Sequence, residues 1–374
     1  MTTGSLSPSP TTAVDSALTS ADTAALPEAR GALSAAVLDA LTGPPGAGGG
    51  PVGFPSVQDP AVADADPYGD DLQLALYLCY ELHYRGFADV SPDWEWDPDL
   101  LRLRAALERV FLAALRRDTG SDGDGDGDGG SGTSSDSDVA AALDPLLIQP
   151  AEGGGVSDFL LREGQWWQMR EYFAHRSVYH LKEADPHAFA IPRLDGQAKA
   201  SLVAVEYDEY GGGRGERVHA RLFADLLAGA GLDPSYLGYL DRVPAPALAT
   251  VNLMSLCGLH RSLRGALVGH FAAAEISTAP SARKMARVLE RLGADERCVL
   301  FFTEHIEADA VHEQVMRRDV IGDLLAREPH LAADVVFGIR ATELLEERLA
   351  EHLLGAWRGG DSSLRRPLDA PPAG

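Results

Sequence analysis

Residues 305 to 312 read His-Ile-Glu-Ala-Asp-Ala-Val-His, and three of them carry side chains that ligate metals. His305, Asp309 and His312 stand at i, i+4 and i+7, which at about 100° per residue places them within an arc of about 60° on one helical face. The spacing predicts two imidazoles and a carboxylate pointing the same way. Val299, Leu300, Phe301 and Phe302 lead in, Val311, Val315 and Met316 follow, and neither Gly nor Pro interrupts Cys298 to Ile321, as a helix requires. A single His on a helix is more often solvated than ligating; the weight lies in the trio and in the upstream acids that could join it. Glu206 and Glu209 lie in Glu-Tyr-Asp-Glu-Tyr-Gly, and His219 opens the next segment ten residues after Glu209. Glu275 sits in His-Phe-Ala-Ala-Ala-Glu-Ile, among small and apolar residues where a carboxylate is costly to bury unless a cation meets it. Glu183, in Leu-Lys-Glu-Ala-Asp-Pro-His, reads by itself as an ordinary acid near a helix end. The trio with Glu275 is enough, on paper, to hold one metal ion.

The elements that must position these groups are helical. From Asp71 to Tyr84 the apolar residues Leu72, Ala75, Leu76, Leu78, Cys79 and Leu82 repeat at helical spacing, and Pro98 introduces a second helix through Leu100, Leu103, Leu107 and Phe111. Further helices are expected over Val156 to Ala184 with Gly164 as a break, Gln197 to Tyr210, His219 to Gly229, Pro246 to Ser277, Ala282 to Leu292, Asp295 to Leu325 and Leu331 to Leu354. No run of alternating strands stands out. The fold class is therefore all-α: a helical bundle over 139–374, preceded by a helical N-terminal extension over 66–117. Residues 1–65, rich in Ser, Thr, Ala, Pro and Gly, read as a disordered tail, with Glu28 to Leu41 a transient helix at most. Residues 118–138 carry an Asp-Gly repeat that lacks the hydrophobic position, the terminal Glu and the flanking helices in register of a calcium loop, so a flexible acidic linker is expected. Gly211-Gly-Gly-Arg-Gly follows no strand and precedes no Gly-Lys-Ser/Thr, which argues against a phosphate loop.

Composition narrows the partners. With 32 Lys and Arg against 56 Asp and Glu, the net charge of −24 disfavours nucleic acid and anionic membrane surfaces. The three cysteines, Cys79, Cys257 and Cys298, show no CxxC spacing and suit reduced thiols in a cytoplasmic protein. The N-terminus lacks the basic and apolar regions of a signal peptide, and the longest largely apolar run, Ala247 to Leu259, is too short to span a bilayer.

The ordered set Glu, Glu, His, Glu and then His-x-x-x-Asp-x-x-His resembles the haem-oxygenase-like dimetal oxidases and oxygenases, the iron-containing redox enzymes. The phrases Tyr-His-Leu-Lys-Glu-Ala-Asp-Pro-His-Ala-Phe-Ala-Ile-Pro-Arg and Glu-Tyr-Asp-Glu-Tyr-Gly-Gly-Gly-Arg carry the same likeness, which runs from about Trp166 to Val315. The resemblance implies a haem-oxygenase-like bundle and two Fe(II) ions held by Glu183, Glu209, His219, Glu275, His305, Asp309 and His312, with Glu206 as the alternative to Glu209. Dioxygen is the implied co-substrate, beside a small-molecule substrate, and a homodimer is an open expectation. Imidazole and carboxylate suit Fe(II) while leaving positions for dioxygen, and seven ligands exceed what one catalytic iron needs. A porphyrin is disfavoured, because the carboxylates would crowd its space. The ten-residue interval between Glu209 and His219 is similar to the N-oxygenating nitrosourea synthase branch, which implies N-oxygenation of an amine or guanidine; oxidative cleavage of an amino or carboxylic acid is the family's other chemistry. Nitrosourea synthases continue into a cupin domain, and nothing after Gly355 is expected to form one, so a finished nitrosourea is not the expected product. The competing expectations are a non-catalytic iron-binding or storage protein and a plain helical interaction protein.

Overall fold

Helix-forming sequence, punctuated by Gly, Pro and capping Asp, sets the architecture. The computed structural model describes residues 23–46, 54–56, 58–121, 136–147 and 154–369, and leaves the side chains of 136 and 307–310 outside that description. The principal helices in chain order are α1 (Ala32–Leu41), α2 (Asp70–Glu81), α3 (Pro98–Asp118), α4 (Asp136–Leu147), α5 (Val156–Glu163), α6 (Trp166–His180), α7 (Gly196–Glu209), α8 (His219–Gly229), α9 (Ala245–Leu259), α10 (Arg264–Leu292), α11 (Glu296–Gln314), α12 (Gly322–Arg327) and α13 (Ala332–Gly359). No strand occurs among the described residues. Asp97 caps α3 by accepting from the backbone N–H groups of Asp99 and Leu100, and Asp295 caps α11 through that of Arg297. Gly293 and Gly360 end α10 and α13 in the left-handed conformation that costs glycine least.

Helix α10 is the spine. It packs along both α11 and α13, while α8 lies on α11, and α9 joins α2 to α13. At the α10/α13 crossing the two backbones approach so closely that a Cβ on Gly269 would meet the Val335 carbonyl oxygen, and one on Gly338 that of Ala266. This contact fixes the relative height of His270 and Thr342 on the two helices.

Three expectations change. Residues 23–46 are part of the folded body rather than a disordered tail: Leu33, Val37 and Leu41 are buried against α2, and the Asp71 carboxylate accepts from the N–H groups of Leu33 and Ser34. Residues 1–22 and the acidic repeat over 122–135 lie outside the described residues. The break expected near Pro280 falls instead at His260–Leu263, and α10 runs through Pro280 as one helix of 29 residues. A proline inside a helix removes one backbone hydrogen bond, a loss that packing along both α11 and α13 outweighs here. The single helix expected over 295–325 is interrupted by a π-helical turn, Val315–Ile321, directly after the segment bearing His312. Such turns recur beside functional sites.

Candidate metal centre

Each candidate donor sits at an end or a wall that the helices hold firmly. Glu183 follows α6 in a tight turn, where Ala184 takes a positive φ of 71° that only glycine adopts without cost. Glu209 is the last residue of α7, His219 the first of α8, Glu275 lies midway along α10, and His305 and His312 are on α11. All six of these residues are buried. Asp309 lies on α11 as well, but its side chain is outside the described residues.

The donors gather into two groups, Glu183 with His219 and His305, and Glu209 with Glu275 and His312, each able to place three ligand atoms within 4.8 Å of one another. Among the described side chains, His305 and His312 thus fall in different groups, and of the two only His312 joins Glu275. Glu209 lies between the two, with Oε2 2.8 Å from His219 Nδ1 and Oε1 3.9 Å from His312 Nδ1. Neighbours orient the ligands. His305 Nδ1 donates to the Phe301 carbonyl oxygen at 2.7 Å, which turns Nε2 toward Glu183 Oε1, 3.7 Å away. His180 Nδ1 meets that same Oε1 at 2.7 Å, and His312 lies between Glu275 (3.0 Å) and Asp208 (3.2 Å). Hydrogen bonds of this kind fix the tautomer and ring angle of a metal-bound imidazole.

Electrostatics show the charge this arrangement calls for. Burial pushes the Glu183 carboxyl up, but His180 and then His305 outweigh it and hold it well below the usual carboxylate range. Burial likewise opposes protonation of His312, yet the hydrogen bond and charge of Glu275 raise it to about 9. Glu206, one turn before Glu209, is pushed up to about 9 by burial and by the charges of Glu209, Glu275 and Asp185. Both Glu206 oxygens, Glu183 Oε2 and His219 Nδ1 are buried without an aligned hydrogen-bond partner among the described residues. Among the described residues, the ion pairs of Glu183, Glu209 and Glu275 run to histidines, not to Lys or Arg. Buried polar groups in native proteins are normally satisfied, and an excess of carboxylates over cations is what divalent ions neutralise. Oxygen and imidazole nitrogen are donors that Fe(II) accepts. The residues therefore fit a pair of irons.

A cavity of about 360 Å³ adjoins both groups; Glu183, Glu209, Glu275 and His305 line it, together with Phe301, Phe302, His270, Thr250, Arg176 and Glu346. The last four had no place in the sequence reading. His270 stands in the same phrase as Glu275 but carries no spacing signal, and the Arg176–Glu346 pair joins residues 170 positions apart.

Comparison with known proteins agrees with this site. Residues 170–347 match the family described as iron-containing redox enzyme. The all-α body is the haem-oxygenase-like fold expected above. A nitrosourea synthase from Streptomyces achromogenes subsp. streptozoticus is 27% identical over 168 residues, 45% of this chain and 36% of that protein. The chain thus spans about a third of the length of the curated relative it matches.

Proposed function

We propose that this iron-containing redox enzyme is an O2-activating, non-haem diiron oxygenase or oxidase of a small molecule, and that its chemistry is N-oxygenation of an amine or guanidine. The observation that carries the proposal is the pair of buried three-residue groups opening on one cavity, with Glu209 between them. Glu183, His219 and His305 would hold one iron, Glu209, Glu275 and His312 the other, with Asp309 a further ligand by its spacing; the contacts of Glu209 with His219 and His312 support a role for it in both groups. The likeness to a nitrosourea synthase and the ten-residue interval from Glu209 to His219 support nitrogen rather than carbon as the site of oxidation.

Two bound ferrous ions would supply the electrons that reduce dioxygen. The chain's residues do the rest. His305, fixed by Phe301, would offer Nε2 as its ligating nitrogen, and His180 holds Glu183 Oε1 while Oε2 has no hydrogen-bond partner among the described residues. Carboxylates that are not locked by arginine can change binding mode as charge changes, and the helical walls keep the imidazoles in place. Phe301 and Phe302 present apolar surface to the cavity, which limits water beside the reacting groups. His312, with its proton shared toward Glu275 and Asp208, is a proton store that metal binding would empty.

Oxygen uptake by protein loaded anaerobically with Fe(II), followed with and without a panel of amines and guanidines, tests the activity. Uptake accelerated by one compound with appearance of its N-oxygenated product is the expected result. Equal uptake with and without every compound, ending in ferric mineral, would replace the enzyme with an iron store.

A further inference from the structure

The cavity wall carries a polar set that metal binding leaves unused. His270, on α10, is 1% exposed and lines the cavity with Thr342, Thr250, Arg176 and Glu346. Thr342 Oγ1 lies 2.7 Å from the Gly338 carbonyl oxygen and 2.7 Å from His270 Nδ1. Two oxygens so close repel unless a hydrogen lies between them, so the single hydroxyl hydrogen of Thr342 is committed to Gly338. The contact with His270 must then be donated by the imidazole, which places its proton on Nδ1 and leaves a lone pair on Nε2. That Nε2 is buried without a hydrogen-bond partner among the described residues, and Thr250 Oγ1 is in the same state. Burial drives the imidazole toward its neutral form, lowering its pKa to about 4.

Glu346 completes the set. Its carboxylate accepts two parallel hydrogen bonds from Arg176 at 2.9 and 2.6 Å, and the Arg176 guanidinium stands 5.4 Å from the centre of the Tyr172 ring. Arginine's forward donors are thereby occupied. A carboxylate has about four lone-pair sites and keeps acceptor capacity after two bonds. The free capacity at this part of the cavity is mainly acceptor capacity, an imidazole lone pair and a carboxylate, beside the Thr250 hydroxyl, which can accept or donate, and the Arg176 Nε–H, which has no partner among the described residues.

We propose that His270 Nε2 and Glu346 form a recognition site for a protonated amine or guanidinium group of the substrate, His270 accepting one N–H bond and Glu346 matching the charge. The proposal rests on the reading of this cavity as the substrate site. Thr342 is the positioning residue, because it fixes the tautomer that makes His270 an acceptor. A carboxylate in the same place would face a lone pair and an anion and would be rejected. In a 360 Å³ cavity that also borders Glu183, Glu209 and Glu275, a cation anchored here lies in the same cavity as the metal groups.

The test uses the full chain and its variants His270→Leu, His270→Gln and Glu346→Gln, each loaded anaerobically with Fe(II) and titrated calorimetrically with n-butylguanidinium, n-butylammonium and, as the anionic control, n-pentanoate. The parent should bind at least one cation about tenfold more tightly than pentanoate. His270→Leu and Glu346→Gln should each weaken that cation about tenfold, the loss of one charge-assisted hydrogen bond, and His270→Gln, which keeps an acceptor, should recover most of it. Glu346 is partly exposed, so its variant carries the test if His270→Leu does not fold. Pentanoate bound as well as the cations, no cation bound by the parent, or cation binding indifferent to both His270→Leu and Glu346→Gln would overturn the proposal. Iron content, measured on the same samples, separates the two claims: a parent that takes up two irons but fails these titrations loses the recognition site alone, and one that takes up none loses the dimetal reading.

Discussion

Glu206 shows at the scale of one residue how strongly burial among carboxylates acts in this site. It is 2% exposed, both oxygens are without donors among the described residues, and burial with the nearby charges of Glu209, Glu275 and Asp185 raises its pKa from an ordinary 4.5 to about 9. Between those two values the unfolded chain has released the proton and the folded chain still binds it. Folding stability contributed by this group therefore falls as pH rises from about 4.5 to about 9. Melting of the metal-free protein between pH 5 and 9 should show that fall, and Glu206→Gln, neutral throughout, should melt higher than the parent at the alkaline end and flatten the slope. Parallel curves for the two would mean that Glu206 finds a cation of its own. Residue types were legible in the sequence, because a buried metal site needs His and carboxylate at helical spacing. Which His joins which acid was not: His305 and His312 are seven apart on one helix, but Glu183 and Glu275 reach them from different elements, and pairing of that kind leaves no local trace.

At the scale of the elements, two contacts hold the donors in register. Lys182, beside Glu183, is 2% exposed and bonds Glu81 of α2 at 2.7 Å, beneath the rings of Tyr77 and Tyr84, while Tyr236 donates to the other Glu81 oxygen at 2.7 Å. This buried pair anchors the turn in which Ala184 has its positive φ. Glu81→Ala strands the ammonium and should cost about 3–5 kcal/mol in urea unfolding, with weaker metal binding at the Glu183 group. An unchanged midpoint and unchanged metal affinity would remove α2 from the support of the site. The second contact is the α10/α13 crossing. Gly338→Ala must force the helices apart, and overpacking of that sort costs about 1–3 kcal/mol; a Tm equal to the parent's would show that the crossing is looser than the backbone contact implies. Helix positions were largely readable from periodicity, as at His219–Gly229, where expected and observed limits coincide. Pro280 misled because a proline's local cost says nothing of the packing around it, and the π-helical turn after α11 has no sequence pattern to announce it.

At the scale of the molecule, the helical extension is part of the same body as the metal-binding bundle. Arg30 donates to the Leu240 carbonyl oxygen and pairs with Asp70, Asn252 of α9 donates to the Gln73 backbone and side chain of α2, and Tyr77 donates to the Val178 carbonyl oxygen of α6. Composition hid this for residues 23–46, since few large apolar side chains stand there, yet Leu33, Val37 and Leu41 are spaced to bury together on α2. Deleting residues 1–46 should expose that face of α2, lower Tm and increase aggregation in static light scattering; a truncated chain as stable and monodisperse as the parent would contradict the role assigned to α1. Among the described residues no helix is long and apolar enough to cross a membrane. The account turns on two irons held by two groups on one set of helices, and Mössbauer spectroscopy of anaerobically loaded protein measures that directly. The parent should bind two Fe(II) per chain as a magnetically coupled pair, and Glu183→Ala should retain about one, at Glu209, Glu275 and His312. A parent that never holds more than one iron, or a Glu183→Ala variant that still assembles the coupled pair, would contradict it.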